Sequence, residues 1–173
     1  MRELVVRTRH SYESPASTVW TLMCNSRMDD SASLLFKLGV PQPVECRVPD
    51  RHPGVGSERE CVSDQGVVHQ RILVWAPEKC LSFRMESTDM RFAQRVQELL
   101  DTFDLDATQH GVRVTRTTRV RTRGRFQRLA RVALYFSLKK VHRYVFLNWE
   151  RLAARTAPST SSIESGSPSR PTV

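Results

Sequence analysis

Four titratable residues fall where strand periodicity could turn them into an interior: His10, His69, Asp101 and Arg116. General acid–base chemistry needs such a group within hydrogen-bond reach of its substrate. His10 and His69 are the histidines on strand-like runs with a face that could point inward. Asp101 shares one side of an alternating run with Leu99, Phe103 and Leu105, and Arg116 shares one side of Val112–Val120 with Val112, Val114, Thr118 and Val120. If those apolar partners face inward, an Asp101–Arg116 pair lies inside. An interior arginine is costly unless paired; a paired one could also hold a ligand carbonyl or carboxylate. The same residues read as well as an ordinary ion pair, or as side chains that strand twist turns outward, and either histidine as a plain surface or core residue. The chain contains no nucleophile elbow, P-loop, dinucleotide fingerprint or metal motif, so no cofactor and no metal is expected. Cys24, Cys46, Cys61 and Cys80 are scattered, with no CxxC and no zinc spacing. That usage predicts reduced thiols and a cytoplasmic protein.

These residues need a sheet to position them. Val67–Trp75 is dense in Val, Ile, Leu and Trp, Ala76-Pro77-Glu78-Lys79 breaks the run, and Leu81, Phe83 and Met85 follow at period two. The pattern is strand, tight turn, strand, with Pro77 marking where ladder pairing stops. Leu4–Tyr12 alternates, with Leu4, Val6, Thr8, His10 and Tyr12 on the more apolar face. Ser14 is a good N-cap and Pro15 a good first residue for a helix running to about Cys24. Asp29–Leu38 predicts a second short helix, with Leu34, Leu35 and Leu38 on one face and Gly39 ending it. Further strands are predicted at Ser57–Val62, Leu99–Leu105 and Val112–Val120, with a short one possible around Val44–Val48. Residues 86–98 fit either a strand extension or a helix at Phe92–Leu99. Parity leaves Val67–Trp75 open: His69, Arg71, Leu73 and Trp75 share one face, Val68, Gln70, Ile72 and Val74 the other. A long helix is predicted over Arg125–Arg155, with a stripe at Leu134, Leu138, Val141, Val145, Trp149 and Leu152 at spacing three and four.

A chain of 173 residues, 39% of them hydrophobic, suits one domain with a real core. Residues 1–155 form that domain; residues 156–173, rich in Ser, Thr and Pro, cannot offset the entropy of ordering and are expected to be disordered. The N-terminus has no apolar h-region, which argues against a secretory signal, and no apolar run approaches the roughly 20 residues that span a bilayer. The net charge of +9 is concentrated: residues 107–149 carry 11 Lys/Arg and no acid. Arg113, Arg119 and Arg121 fall on the solvent-facing side of their strand, and Arg123, Arg125, Arg128 and Arg131 mix with Phe126, Leu129, Val132, Tyr135 and Phe136. This segment, centred on residues 113–143, reads as a solvated face, or as a basic amphipathic surface for peripheral contact with an anionic membrane. No DNA- or RNA-binding motif is present, so no specific nucleic acid is expected.

The order of these elements, with Ser14-Pro15 and Val19-Trp20, Val55-Gly56, Trp75-Ala76-Pro77 with Leu81-Ser82-Phe83, and the closing helix, resembles the SRPBCC superfamily (START and Bet v 1-like proteins), near its polyketide cyclase/dehydrase branch. The resemblance covers roughly residues 3–154. It implies an α+β helix-grip fold: a curved antiparallel β-sheet wrapped around a long C-terminal α-helix, with one or two short helices after the first strand. It also implies an elongated apolar cavity between sheet and helix for a hydrophobic small molecule such as a lipid or polyketide. The runner-up is a cyclase or dehydratase acting in the same cavity, and no catalytic residue transfers from the family. The expected ligand contacts are Tyr12, Phe36, His69, Arg71, Phe83, Met85, Leu99, Asp101, Phe103, Val114 and Arg116, each of which could equally be plain packing or structural pairing.

Overall fold

Alternating strands separated by short turns favour an antiparallel meander over crossovers. The computed structural model describes residues 3–28, 40–90, 96–122 and 128–156. Its elements run β1 (Leu4–Tyr12), α1 (Ala16–Cys24), β2 (Ser26–Arg27), β3 (Pro43–Arg47), β4 (Glu58–Ser63), β5 (Gly66–Ala76), β6 (Cys80–Thr88), β7 (Val96–Thr108), β8 (Gly111–Thr122) and α2 (Arg128–Thr156). The strands form one sheet in the order β1-β8-β7-β6-β5-β4-β3-β2, and every neighbouring pair is antiparallel. β2 to β8 is a meander; β1 closes on β8, pairing Leu4 with Val120 through Tyr12 with Val112. The sheet curls around α2, giving the α+β architecture.

The turns follow local chemistry. Gly111 turns β7 into β8 at φ +153°, and a Cβ there would lie 2.0 Å from the Tyr12 carbonyl oxygen, so only glycine fits. Between β5 and β6, Lys79 N–H donates to the Ala76 carbonyl at 3.0 Å. The helix α1 starts one residue later than its sequence suggests. Pro15 is the extended cap residue, its carbonyl accepts from Thr18 and Val19, and no side chain caps the end. Ser14 therefore does not serve as the cap. At the other end of the chain, α2 presents the expected stripe to the sheet: Val145 and Trp149 are buried, and Leu134, Leu138, Val141 and Leu152 are half-buried.

β5 explains why parity was undecided. Gln70 and Ile72 are buried, so the even face points inward. The register then slips between Ile72 and Val74. Beyond that bulge, Val74 is exposed and Trp75 turns back to meet Trp20 edge-on at 5.0 Å. A bulge reverses the alternation, which spreads apolar residues over both faces of the strand. Residues 86–88 extend β6, and Val96–Leu99 opens β7 as strand. The helix expected at Asp29–Leu38, with Phe36, and the tail from residue 157 lie outside the described residues. No helix among the described residues is long and apolar enough to cross a membrane.

Within the largely aliphatic core sits an aromatic cluster. Phe83 and Phe103 have ring centroids 5.8 Å apart, Phe103 and Trp149 also 5.8 Å, and Phe146 and Trp149 6.0 Å. Each such pair adds about 0.5–1.5 kcal/mol beyond area burial. Together they tie β6 and β7 to the C-terminal half of α2 and leave the space nearer its N-terminal half unfilled.

Candidate functional site: a cavity between sheet and helix

That space is a cavity of about 630 Å³, within the range of about 300–1,000 Å³ usual for small-molecule sites. Leu134, Leu138, Val141, Val145 and Trp149 of α2 form one wall; Phe83, Val96, Leu99, Phe103 and Val120 of the sheet form the other. The polar groups that interrupt this apolar lining include Arg59, Gln70, Asp101, Arg116 and the thiols of Cys46 and Cys61.

Asp101 and Arg116 are paired on the cavity wall. Arg116 donates from Nε at 3.2 Å and from Nη2 at 2.8 Å to the two oxygens of Asp101, a bidentate arrangement. Burial opposes ionisation of Asp101, but attraction to Arg116 and the bonds it receives outweigh this and hold the carboxyl below its usual range. The network continues away from the cavity. The Thr118 hydroxyl also bonds Asp101 Oδ1, and Thr118 Oγ1 lies 2.8 Å from His142 Nε2. His142 Nδ1 lies 3.0 Å from Thr8 Oγ1. Thr118 has one proton and gives it to Asp101, so His142 donates from Nε2 and accepts at Nδ1 from Thr8. Burial, reinforced by Arg116, pushes the His142 pKa down to about 3, so it is neutral.

Arg59 is the second cationic group. It is 3% exposed, its guanidinium lies over the Phe83 ring at 4.3 Å, and it donates to the Gln70 side-chain oxygen and, at 3.3 Å, to the Met23 carbonyl. Arg59 and Gln70 face each other in the β4–β5 register, which fixes this pair. The Arg59 Nε is buried with no hydrogen-bond partner among the described residues. Burial opposes its charge, but the surrounding Cys46, Cys61 and Asp101 keep it protonated. On the cavity wall Asp101 is paired with Arg116, and Arg59 is set beside the sulfur atoms of Cys46 and Cys61.

No family model matches the sequence, and no curated protein matches it. Solved structures do. A START superfamily protein from Mycobacterium smegmatis superposes with a TM-score of 0.61 at 9% identity, over 87% of this chain and 97% of that one. The Zhui aromatase/cyclase from Streptomyces sp. R1128 gives 0.64 at 13% identity, over 94% and 100%. Ara h 8.0201 gives 0.64 at 12% identity, over 89% and 99%. The chain has the helix-grip fold of the START and Bet v 1-like proteins.

Within the helix-grip frame, the residues singled out from sequence separate into groups. Phe83, Leu99, Asp101, Phe103 and Arg116 border the cavity. Tyr12 and Val114 are buried in the core beyond it; the Tyr12 hydroxyl donates to the Phe146 carbonyl at 3.3 Å, and burial raises its pKa. Met85 is half-buried and does not line the cavity. His69 and Arg71 must be corrected: they lie on the outer face, because β5 turns Val68, Gln70 and Ile72 inward. There His69 Nδ1 meets Glu58 Oε1 at 2.9 Å, and Arg71 forms a bidentate pair with Glu86 at 3.0 and 2.7 Å. His10 stacks on Phe146 at 5.7 Å and approaches Glu150 at 3.3 Å, also off the cavity. Glu58, Glu60 and His69 could each offer one atom to a metal, but Arg47 already binds Glu60 at 2.6 Å through Nε.

Sequence reasoning missed Arg59, Gln70, His142, Cys46 and Cys61. Arg59 and Cys61 sit two apart on a predicted strand, so they share a face; the same-face rule would have joined them had that face been assigned. His142 flanks the apolar stripe of α2, beside Leu138 and Val145 in helical spacing, where a polar residue ordinarily marks the edge of the buried face.

Proposed function

We propose that the protein binds an apolar small molecule whose carbonyl or carboxylate end turns toward Arg59 and Arg116. The observation that carries this reading is the cavity itself: an apolar space between sheet and helix whose wall carries two guanidinium groups, Arg59 and Arg116, among apolar side chains. Ligand sites are mostly apolar with a few placed polar groups, so this lining supports an apolar molecule with one acceptor-bearing end. The Asp101–Arg116 pair supplies a second polar anchor. The reading places the protein in the cytoplasm, where its thiols stay reduced.

Conversion of a ligand, as the name of the Zhui aromatase/cyclase implies for that protein, is the alternative. It is less well supported. No histidine is among the described residues that border the cavity, and an aspartate held ionised by arginine is a weaker base than one in an apolar pocket. The test is native mass spectrometry of the purified protein, then extraction and identification of what it carries. An apolar molecule with an acidic or carbonyl end, recovered unchanged after incubation, is the expected result. Leu138→Trp should project a bulky ring into the cavity, lower affinity for the recovered molecule at least tenfold and leave the fold intact. Undiminished binding would place the ligand elsewhere.

A second reading rests on the outer face of α2. Val132, Phe136 and Leu147 are exposed there, and Lys140 and Arg143, also exposed, fall between them at spacing three and four. This mixed apolar and basic stripe supports peripheral contact with an anionic membrane surface, which would bring the cavity near a source of apolar ligand.

A further inference from the structure

Cys46 on β3 and Cys61 on β4 are direct partners in the antiparallel register, and their sulfur atoms lie 2.9 Å apart. Opposed residues in such a pair have Cα atoms about 4.5–5.5 Å apart, inside the span of about 4.4–6.8 Å that a disulfide bridges. The strand spacing therefore suits a disulfide, and the two sulfur atoms have less than about 1 Å left to close. Both side chains border the cavity. Their surroundings differentiate them. The hydrogen bond from Cys61, and the charges of Arg59 and Arg116, favour the thiolate at Cys46 against the opposing effect of burial. The same hydrogen bond, burial and the nearby Cys46 charge hold the proton on Cys61. One sulfur is set as a nucleophile, the other as a resolving thiol.

We propose that Cys46 and Cys61 are a redox-active dithiol that reduces organic hydroperoxides entering the cavity, closing to a disulfide across β3 and β4. The Cys46 sulfur attacks the terminal peroxide oxygen. The O–O bond breaks, and the leaving alkoxide takes up the proton that Cys46 had released, departing as an alcohol. Cys46 is left as a sulfenic acid. The Cys61 sulfur then attacks the Cys46 sulfur, the S–S bond forms, the S–O bond breaks, and hydroxide leaves with the Cys61 proton as water. Two thiols and one hydroperoxide become one disulfide, one alcohol and one water, a two-electron reduction of the peroxide; an added dithiol then reduces the disulfide and restores both thiols. Phe83, Leu99 and Phe103 select an apolar peroxide over a polar one, and the guanidinium groups of Arg59 and Arg116 on the same wall favour its oxygens. This chemistry goes beyond the binding reading and needs only that the cavity admit a small apolar molecule.

The test treats the reduced full chain with one equivalent of cumene hydroperoxide at neutral pH, followed by thiol titration and peptide mapping. The expected result is a fall from four free cysteines to two, with Cys46 and Cys61 joined and cumyl alcohol released in equal amount. Cys24 and Cys80, whose pKa values burial raises to about 11, should react more slowly by about tenfold or more. Cys61→Ser should accumulate a Cys46 sulfenic acid that dimedone traps; Cys46→Ser should lose the fast reaction. Should a variant misfold, the wild-type map alone decides. Oxidation spread evenly over the four cysteines, or a native chain reacting no faster than the denatured one, would overturn the proposal. Failure of the ligand reading shows separately, as an empty cavity by native mass spectrometry in protein whose dithiol still reacts.

Discussion

Replacing Arg116 by methionine keeps the apolar stem of the side chain and deletes its charge and its two hydrogen bonds to Asp101. The Asp101 side chain is 3% exposed and the Arg116 side chain 13%, so solvent screens the pair far less than a surface bridge. Removing one partner of a buried ion pair costs about 3–5 kcal/mol, because the other charge is left without compensation. For a chain of this size, about 2–4 °C of melting temperature accompanies each kcal/mol, which gives a fall of roughly 6–20 °C for Arg116→Met. Asp101 should respond by taking up a proton, since burial now acts on it without the opposing guanidinium. The variant's deficit is therefore expected to shrink as pH falls toward the carboxylate range, where the wild type also loses its paired aspartate. The double variant Asp101→Leu/Arg116→Met removes both charges and should recover most of the loss. Urea denaturation of the wild type, Arg116→Met, Asp101→Leu and the double variant at pH 7 and pH 5 measures all of this as a double-mutant cycle. A cost below about 1 kcal/mol for Arg116→Met, the value of a solvent-exposed bridge, would refute the claim that the pair is desolvated. A double variant as unstable as the single would refute the claim that an uncompensated charge is the cause.

His142 supplies a second pH signature. Its folded pKa of about 3 lies below the unfolded value near 6.5, so the unfolded chain binds the extra proton first and stability falls as pH drops from about 6.5 toward 3. Between pH 7 and pH 5 that loss is about 2 kcal/mol, and it should be absent from the pH dependence of His142→Asn; equal slopes for the two proteins would show that His142 is not buried neutral. The basic stripe of α2 should bind anionic vesicles at low salt, with each lysine or arginine near the surface contributing about 1 kcal/mol and the binding lost as salt shortens the Debye length. Equal binding to neutral and anionic vesicles would leave that stripe as an ordinary solvated face.

Periodicity determined a large part of this molecule in advance. Alternation in Leu4–Tyr12, Leu99–Leu105 and Val112–Val120 assigns each side chain to a face, because a strand has only two, and it placed Asp101 and Arg116 on the same side as their apolar neighbours. The stripe of α2 was legible for the same reason: a period of three and four on a helix leaves one choice of buried face. Composition likewise located the positive charge, since a count along the chain needs no geometry.

The rest was settled by how the elements pack. The direction of His69 and Arg71 stayed open because the register shifts between Ile72 and Val74 and leaves apolar residues on both faces of β5, and a bulge is one extra residue that nothing in a mixed apolar run announces. The polar lining depended on register. Arg59 meets Gln70, and Cys46 meets Cys61, because particular residues of neighbouring strands are opposed, and a shift of one position would send each to the other face of the sheet. His142 joined Thr118 and Thr8 only once α2 was laid across β8 and β1, residues that stand 24 and 134 positions away along the chain. The cavity itself has no counterpart in the sequence. It is the volume that a curved sheet encloses and the side chains of one helix do not fill, a property of shape that no local pattern encodes.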